Sequence, residues 1–389
     1  MTFYQLVIVH EGEHEWADEV ERRIRAACVR VLRHDGALTR LNAVADAVAT
    51  GASTTVVCIA TREACASAAV TAELEAAREA AVPVLPLARE YDEIEEVIPA
   101  VIRRLSAIRW NGEPEPELAV LRLLGIVESD RRLFLSYRRV ETSALAIQLR
   151  RALSERTYDV FLDRFSVPPG DDFQQRINIE LADKAFLLVL ESESAIGSEW
   201  VQHEVIYALS HHIGVLALTI PGTSTDQQFE VIDDAFRVRL DADDLEEPAA
   251  QVGQLKAESL DRVLGEIELR YAREARRRRV QLLAAAGDFL RQAGYDRQSL
   301  DEWSVLASRE TDRLVVAVTP IAPAPKALRR ADLLRLRVEK EHGAGSVRAA
   351  YLVHEAPDVD PDGQALVEWI VADRPLLMSA VAELPGLLG

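Results

Sequence analysis

The stretch "FLLVLESESAIGSEWVQHEV", residues 186–205, decides the fold. Its first part, "FLLVLE", is a short apolar run with the length of a buried strand, and from Glu199 onward the apolar residues recur at helical spacing. A strand that is apolar on both faces and leads into a helix predicts a parallel sheet covered by helices on both sides. Trp200 and Glu204, four residues apart, share one face of that helix near the edge where the strand ends.

The flanking sequence continues the alternation of strands and helices. We predict strands in "RLFLSY" (132–137) and "YDVFLD" (158–163), and a helix over "TSALAIQLRRALSER" (142–156). The prolines and glycine of "RFSVPPGDD" (164–172) predict a loop. Residues 131–251 are therefore expected to form an α/β domain whose ligand crevice lies at the carboxyl ends of its parallel strands.

An earlier segment repeats part of this pattern. "SAAVTAEL" (67–74) aligns with "SEWVQHEV" (198–205), so that Ser67 and Glu73 correspond to Ser198 and Glu204. The match indicates an internal duplication, with a chance likeness between two α/β units as the alternative. Residues 1–110 are expected to form this first domain, and the acidic, proline-bearing "NGEPEPEL" predicts a linker over 111–130.

Two further segments follow the central domain. A long helical pattern predicts a connector over residues 252–294, in which the basic run Arg276–Arg279 is expected to form a solvated face rather than a nucleic-acid patch. Residues 295–389 are expected to form a small α/β domain. Its strand–helix–strand pattern resembles part of a restriction-nuclease-like fold, but no acidic-x-Lys metal motif follows Asp312, which argues against a nuclease.

Composition narrows the functional classes. The 389 residues carry a net charge of −19, which disfavours broad contact with nucleic acid. The chain has no apolar run near the roughly 20 residues that cross a bilayer, and its N-terminus lacks the basic segment of a signal peptide. Three cysteines without a CxxC pair suit a reducing compartment, so the sequence predicts a cytoplasmic protein.

Three pieces in this order resemble the TIR (Toll/interleukin-1 receptor) domain family over about residues 131–225: "FLSYRR" (134–139), "LDRFSVPPGDDFQQRINIELADKA" (162–185) and the stretch 186–205. The resemblance implies a flavodoxin-like parallel sheet. The family contains both protein-interaction adaptors and enzymes that cleave NAD, and the match alone does not choose between them. "IVHEGE" replaces "LSYRR" in the first domain and Ala69 stands at the tryptophan position, so that domain is expected to be a degenerate TIR-like unit that scaffolds, docks or inhibits.

By this resemblance Glu204 is the catalytic glutamate. Release of nicotinamide from NAD breaks a glycosidic bond through an oxocarbenium-like state, which a fixed carboxylate stabilises more than it stabilises the substrate. The leaving group is already cationic and departs neutral, so one carboxylate suffices. The alternative is a surface glutamate paired with His203 or another neighbour.

The resemblance also suggests substrate and assembly residues. Arg138 is expected to bind the diphosphate or adenine, with Arg139 as a surface charge. Trp200 is a candidate substrate-binding residue that is expected mainly to brace the helix and the wall of the site. The 165–170 segment corresponds to the family's mobile loop, which governs access and contacts a neighbouring TIR domain; ordinary turn chemistry is the alternative. The remaining candidates are Tyr137, Phe165, Ser192 and Ser198 for the pocket and Val167, Pro168, Pro169 and Gly170 for the loop.

These residues predict an NAD+ glycohydrolase that releases nicotinamide and ADP-ribose or a cyclic isomer. Bacterial relatives of this type act in antiphage defence. The expected mode of activation is therefore self-association into a homo-oligomer with TIR–TIR contacts, after a signal from a sensor or trigger protein. NAD is the substrate, and no cofactor, metal or membrane is expected. The alternative is a non-enzymatic TIR scaffold that needs neither Glu204 nor a pocket.

Overall fold

The computed structural model describes residues 4–33, 36–48, 52–80, 82–89, 94–103, 105, 107–110, 116–126, 131–162, 173–246, 253–301, 303–355, 360–372 and 374–388. These form three five-stranded sheets. The chain divides into two compact units, the first comprising residues 1–128 and 299–302 and the second residues 129–298 and 303–389.

The first sheet is parallel, with strand order β2-β1-β3-β4-β5. The buried strands β1 and β3 lie side by side at its centre, as expected for apolar runs covered on both faces. The elements of the unit are β1 (Tyr4–Val9), α1 (His14–Leu32), β2 (Leu38–Leu41), α2 (Val44–Val48), β3 (Ser53–Ile59), α3 (Arg62–Ala66), α4 (Ala68–Glu79), β4 (Val84–Ala88), α5 (Ile94–Val97), β5 (Ile108–Arg109) and α6 (Pro116–Leu123).

Helix α6 lies within the stretch expected to be a linker. Its buried residues Ala119, Val120 and Leu121 pack in the first unit, and Glu117 accepts a forked hydrogen bond from Arg23 of α1, with N–O distances of 2.9 Å to both oxygens. Residues 116–123 are thus part of a packed unit rather than an open linker. The apolar periodicity of "LAVLRLL" was outweighed in the sequence prediction by the prolines before it; residues 111–115 lie outside the described residues.

The second sheet, that of the central domain, is also parallel and has the order β10-β9-β8-β6-β7. Numbered within the domain, both sheets follow the order 2-1-3-4-5, which is flavodoxin-like and confirms the predicted fold class. The elements are β6 (Arg132–Ser136), α7 (Arg139–Glu155), β7 (Asp159–Leu162), α8 (Phe173–Ala182), β8 (Phe186–Glu191), α9 (Glu193–Ile196), α10 (Glu199–Ser210), β9 (Gly214–Thr219), β10 (Arg237–Arg239) and α11 (Ala257–Gln292).

The third sheet is mixed, with order β11-β12-β13-β14-β15. Strands β12 and β13 are antiparallel, whereas β13, β14 and β15 are parallel. The strand–helix–strand pattern expected from the sequence corresponds to β13, α12 and β14. Strands β11, β12 and β15 were not predicted, because their polar and apolar residues mix without a long apolar run. The elements are β11 (Asp296–Asp301), β12 (Ser304–Arg309), β13 (Asp312–Thr319), α12 (Pro325–His342), β14 (Ala349–His354), α13 (Pro361–Val371), β15 (Leu376–Ala380) and α14 (Leu384–Leu388).

Helix α11 is a shared core element and not the separate connector expected over residues 252–294. Val263, Ile267 and Tyr271 in its first half belong to the hydrophobic core of the central domain. Leu282 and Leu290 in its second half belong to the core of the third sheet. The sequence pattern correctly predicted the helix. It could not predict the packing partner, because an apolar stripe on a helix does not specify the surface against which the helix packs.

The basic run of α11 also differs from expectation. Arg278 and Arg279 are buried, while Arg277 is exposed, so the run is not a solvated face. Arg278 and Arg279 are buried because α11 packs against the cores of both the central domain and the third sheet, and these two arginines point inward where the cores meet. No described helix, α11 included, has the length and apolar composition that spanning a membrane requires.

A buried ion pair joins α11 to the central sheet. Arg131, at the start of β6, donates to both carboxylate oxygens of Glu268 at 2.6 and 2.9 Å, and the hydroxyl of Tyr158 donates to the same carboxylate at 2.9 Å. The Arg131 guanidinium also lies 3.8 Å from the centre of the Tyr158 ring. Burial raises the pKa of Tyr158 well above its ordinary value, so its hydroxyl remains a donor. The charges are buried but mutually satisfied, which is the condition under which such a pair is tolerated.

Removing one partner of this pair should destabilise the central domain. In Glu268→Gln the Arg131 charge stays buried without a counterion, and we expect a loss of about 3–5 kcal/mol in the free energy of unfolding. Native-state hydrogen exchange of the β6 and β8 amides measures this loss in the free energy of unfolding. The double variant Arg131→Met/Glu268→Leu should recover most of the loss. Glu155→Gln, which removes the exposed pair with Arg151, is the matched control and should change stability by less than about 0.5 kcal/mol.

Candidate functional site

The candidate site lies at the carboxyl edge of the central sheet, where β6 and β8 end next to each other. Ser136, the last residue of β6, is in register with Val189 of β8. After β8 the chain makes the short helix α9 and then enters α10, whose N-cap residue is Ser198. The start of α10 is thereby held at this edge, as the sequence predicted.

Glu204 is drawn inward by the packing of α10. Val201, Val205 and Ala208 of this helix belong to the core against the sheet, and Glu204 between them is only 5% exposed. The hydroxyl of Ser136 donates a hydrogen bond to Oε2 of Glu204. A buried carboxylate requires such donors, and here one comes directly from the end of a central strand. The alternative of an exposed surface glutamate is therefore wrong.

The residues that leave β6 lie around the same edge. Arg138 is half-buried, and its Nη1 donates to Oγ of the buried Ser198 at 3.4 Å. Tyr137 is buried, whereas Arg139 is exposed. The fold thus brings Arg138 into contact with Ser198. Ser136, two residues before Arg138, contacts Glu204 and so connects this pair to the carboxylate. The fold separates Arg138 from Arg139, which lies on the surface as expected.

Trp200 does not occupy the position that we expected. It is 49% exposed and so is not a buried brace of the helix. The reason is its place in the first turn of α10, where Val201 and Glu204 turn toward the sheet and the second residue of the helix remains at the surface. Nearly half of its surface is therefore exposed.

The remaining predicted residues divide into two groups. Ser192 is buried and accepts a hydrogen bond from the backbone N–H of Ala195 at 3.3 Å, so it caps α9. The loop residues lie outside the described residues, and these are Phe165, Val167, Pro168, Pro169 and Gly170.

A second buried carboxylate at this edge was missed by the sequence prediction. Glu191, the last residue of β8, accepts hydrogen bonds from the Thr219 hydroxyl at 2.7 Å, the Phe229 N–H at 2.8 Å and the Arg237 Nε at 3.1 Å. These bonds tie the segment after β9 to the sheet, so Glu191 has a structural role. A glutamate that ends an otherwise apolar strand was the available signal, but its partners are distant in sequence.

In the first unit, β1 and α4 correspond to β6 and α10, but the carboxylate on α4 has a different hydrogen-bond partner. Val9, in register with Cys58, stands at the end of β1 as Ser136 does at the end of β6, so no hydroxyl is present there. Glu73 of α4 instead accepts a hydrogen bond from the N–H of Val44, the first residue of α2, at 2.8 Å. The carboxylate that matches Glu204 in sequence thereby holds a local helix start.

The charge beside the N-cap serine is also reversed between the two units. Ser67, the N-cap residue of α4, donates to Oε2 of Glu11 at 2.6 Å. Glu11 stands two residues beyond β1, and Arg138 stands two residues beyond β6, where it contacts the N-cap Ser198. A negative side chain in the first unit therefore occupies the place of a positive one in the central domain.

With this geometry established, the central domain can be assigned to a family. The sequence model described as the TIR domain matches residues 133–256, and this part of the chain is a TIR domain. The fold class and the predicted resemblance are confirmed over this range. The family range ends at the start of α11, the helix that completes the core of the domain.

Two other comparisons add no functional argument. Among solved structures, the TIR domains of the activated Roq1 resistosome that directly recognises the pathogen effector XopQ match with 21% identity and a TM-score of 0.23. That match covers 24% of this chain and 58% of the other, so the chain spans little more than half of the solved chain that it matches. A search of curated proteins found no match.

The role of Glu73 as a local helix anchor can be tested directly. In Glu73→Ala the Val44 N–H loses its acceptor, and we expect faster hydrogen exchange at α2 together with a loss of about 1 kcal/mol in the stability of the first unit. The exposed Glu75 of the same helix gives the matched control Glu75→Ala, which should leave both unchanged. Equal exchange at Val44 in the two variants would contradict the assigned role.

Proposed function

We propose that the TIR domain is an NAD+ glycohydrolase that cleaves the bond between nicotinamide and ribose and releases nicotinamide with ADP-ribose or a cyclic isomer. The observation that carries the proposal is the buried carboxylate of Glu204, which meets Ser136 at the carboxyl edge of the sheet. This edge is where open parallel α/β sheets bind ligands.

The chemistry required of Glu204 follows from the reaction. As the glycosidic bond breaks, positive charge develops on the ribose, and a carboxylate in a site of low dielectric stabilises that charge strongly. The hydrogen bond from Ser136 fixes the orientation of the carboxylate, so little reorganisation is needed during the reaction. Nicotinamide leaves as a neutral molecule, so the step needs no general acid.

The half-buried Arg138 has the chemistry to hold the diphosphate. Its guanidinium presents a planar fork of donors that fits phosphate oxygens. Ser198 orients it from the start of α10, the helix that also carries Glu204. Tyr137, buried next to it, is proposed to contribute to the wall of the pocket, as is Phe165.

Self-association is the proposed means of activation. Trp200 and Ile206, both on α10, are large apolar side chains at the surface, 49% and 55% exposed. We propose that a second copy covers part of this surface, and that the loop with Val167, Pro168, Pro169 and Gly170 completes the site. An NAD-cleaving enzyme would harm its own cell, so restraint until a sensor or trigger signals phage infection fits this design.

The first unit is proposed to be a degenerate TIR-like domain without turnover. Its sheet has the same strand order, but Glu73 is held by α2 and Glu11 replaces the cation that would meet a diphosphate. A role in docking or inhibition is consistent with both changes.

Substitution of Glu204 tests the proposal. Glu204→Gln keeps an oxygen to accept the Ser136 hydrogen bond but removes the charge, so nicotinamide release should fall at least about 100-fold while thermal stability changes by no more than about 1 kcal/mol. The assay follows nicotinamide release from NAD with purified protein and a crowding agent. The exposed Glu199 of the same helix supplies the control Glu199→Gln, which should retain activity. Unchanged turnover in Glu204→Gln would rule out the assignment.

A second pair of variants tests substrate binding. Arg138→Met should raise KM for NAD about tenfold or more, because it removes a charge-assisted contact to the diphosphate, while kcat changes less. Arg139→Met, at the exposed neighbouring position, should leave both constants near the wild-type values. Equal KM values for the two variants would exclude Arg138 from the pocket.

A non-enzymatic TIR scaffold is the second candidate, and the exposed Trp200 and Ile206 are the observation in its favour. A scaffold needs this surface but not the charge of Glu204. The Glu204→Gln variant separates the two candidates: a scaffold should self-associate under crowding as the wild type does and show no nicotinamide release that depends on Glu204, whereas an enzyme should lose nicotinamide release in this variant while its self-association is unchanged.

A further inference from the structure

Arg278 lies in the middle of α11 and is buried to an unusual degree for an arginine, with 1% of its surface exposed. Its Nε lies 3.4 Å from Oε2 of Glu355, at the outer limit of a hydrogen bond. Within the described part of the chain, neither Nη1 nor Nη2 has a hydrogen-bond partner, although both are buried. A guanidinium stays charged in proteins, so two donors of a permanent cation are unfilled here.

The neighbouring arginines have partners of their own. Arg277 is exposed and forms an ion pair with Glu274 at 2.7 Å. The guanidinium of Arg279 lies 5.1 Å from the centre of the Trp303 ring. Arg278 differs from both because its one charged contact leaves the end of the guanidinium fork open. A buried charge with so little compensation costs several kcal/mol unless a ligand supplies the missing acceptors.

Arg278 lies near the carboxyl edge of the third sheet. Glu355 directly follows β14 at the carboxyl end of the parallel strands of the third sheet, the edge at which open α/β sheets bind ligands. Arg278 is also close enough to Tyr207 of α10 for the two to interact electrostatically. Asp360 also approaches Arg176 of α8, at 3.9 Å. Arg278 therefore lies where the central domain and the third sheet meet, and such junctions are common places for small-molecule sites.

We propose that Arg278 is the anchor of an oxyanion site, with the phosphate group of a small phosphorylated ligand as its occupant. The end of a guanidinium fork binds two oxygens of such a group, and Nη1 and Nη2 supply that pair of donors. Glu355, on the Nε side, orients the fork and leaves the Nη atoms for the ligand. This proposal does not depend on NAD cleavage.

Inorganic phosphate is the probe for this site. Phosphate should raise the Tm of the full-length wild-type protein by about 3 °C at a tenfold excess over Kd, compared with chloride at equal ionic strength. Arg278→Met should abolish that shift, and it should fold, because replacing a poorly compensated buried charge by an apolar side chain is neutral or stabilising. Arg277→Met, at the exposed neighbour, should keep the wild-type shift.

Hydrogen exchange of the wild-type protein gives a test that does not depend on any variant. Phosphate should slow exchange in residues 276–282 of α11 and in residues 349–355, which comprise β14 and Glu355. The proposal is overturned if phosphate neither raises Tm nor protects these segments, or if Arg278→Met shows the same phosphate shift as the wild type. Loss of NAD cleavage in any variant has no bearing on this result.

Discussion

Helix α11 is the physical constraint on which the second unit depends. One half of it completes the core of the TIR domain and the other half packs on the third sheet, so neither sheet could keep its covering if the helix moved. The Arg131–Glu268 pair fixes its position against β6. Gly214 lets it come close to β9, because a Cβ there would lie 2.6 Å from Cβ of Glu274. The two domains consequently share one helix as part of both cores.

Three glutamates show how partners, and not residue type, decide function. Glu191 accepts hydrogen bonds from Thr219 at the end of β9, from the Phe229 N–H and from Arg237, and so ties the segment after β9 to the sheet. Glu73 is engaged by the start of α2. Glu204 takes its hydrogen bond from Ser136 at the carboxyl edge, with Arg138 and Ser198 nearby. Of the three, this last environment places a buried carboxylate at the carboxyl edge of the sheet together with a half-buried arginine.

Much of the fold and part of the candidate site could be predicted from local sequence. The apolar runs of β6, β8 and β9 and the periodicity of α7 and α11 predict those elements, because burial on one or both faces leaves a regular pattern. The four-residue spacing of Trp200 and Glu204 put both on α10, but their exposures differ widely, since helix position alone does not say where the neighbouring sheet ends. Ser136 carried no signal, because a serine at a strand end is common.

By itself the sequence predicted strands β6 to β9 and helices α7, α8 and α10 of the TIR domain, the likeness of residues 67–74 to 198–205, and the position of Glu204 on the helix after β8. Tertiary structure alone decided that Ser136 meets Glu204, that Glu73 anchors α2, that α6 is packed and that Arg278 is buried. The physical reason is the range of the interactions. Periodicity and capping act over a few residues, whereas the partners of a buried charge are set by how distant segments pack.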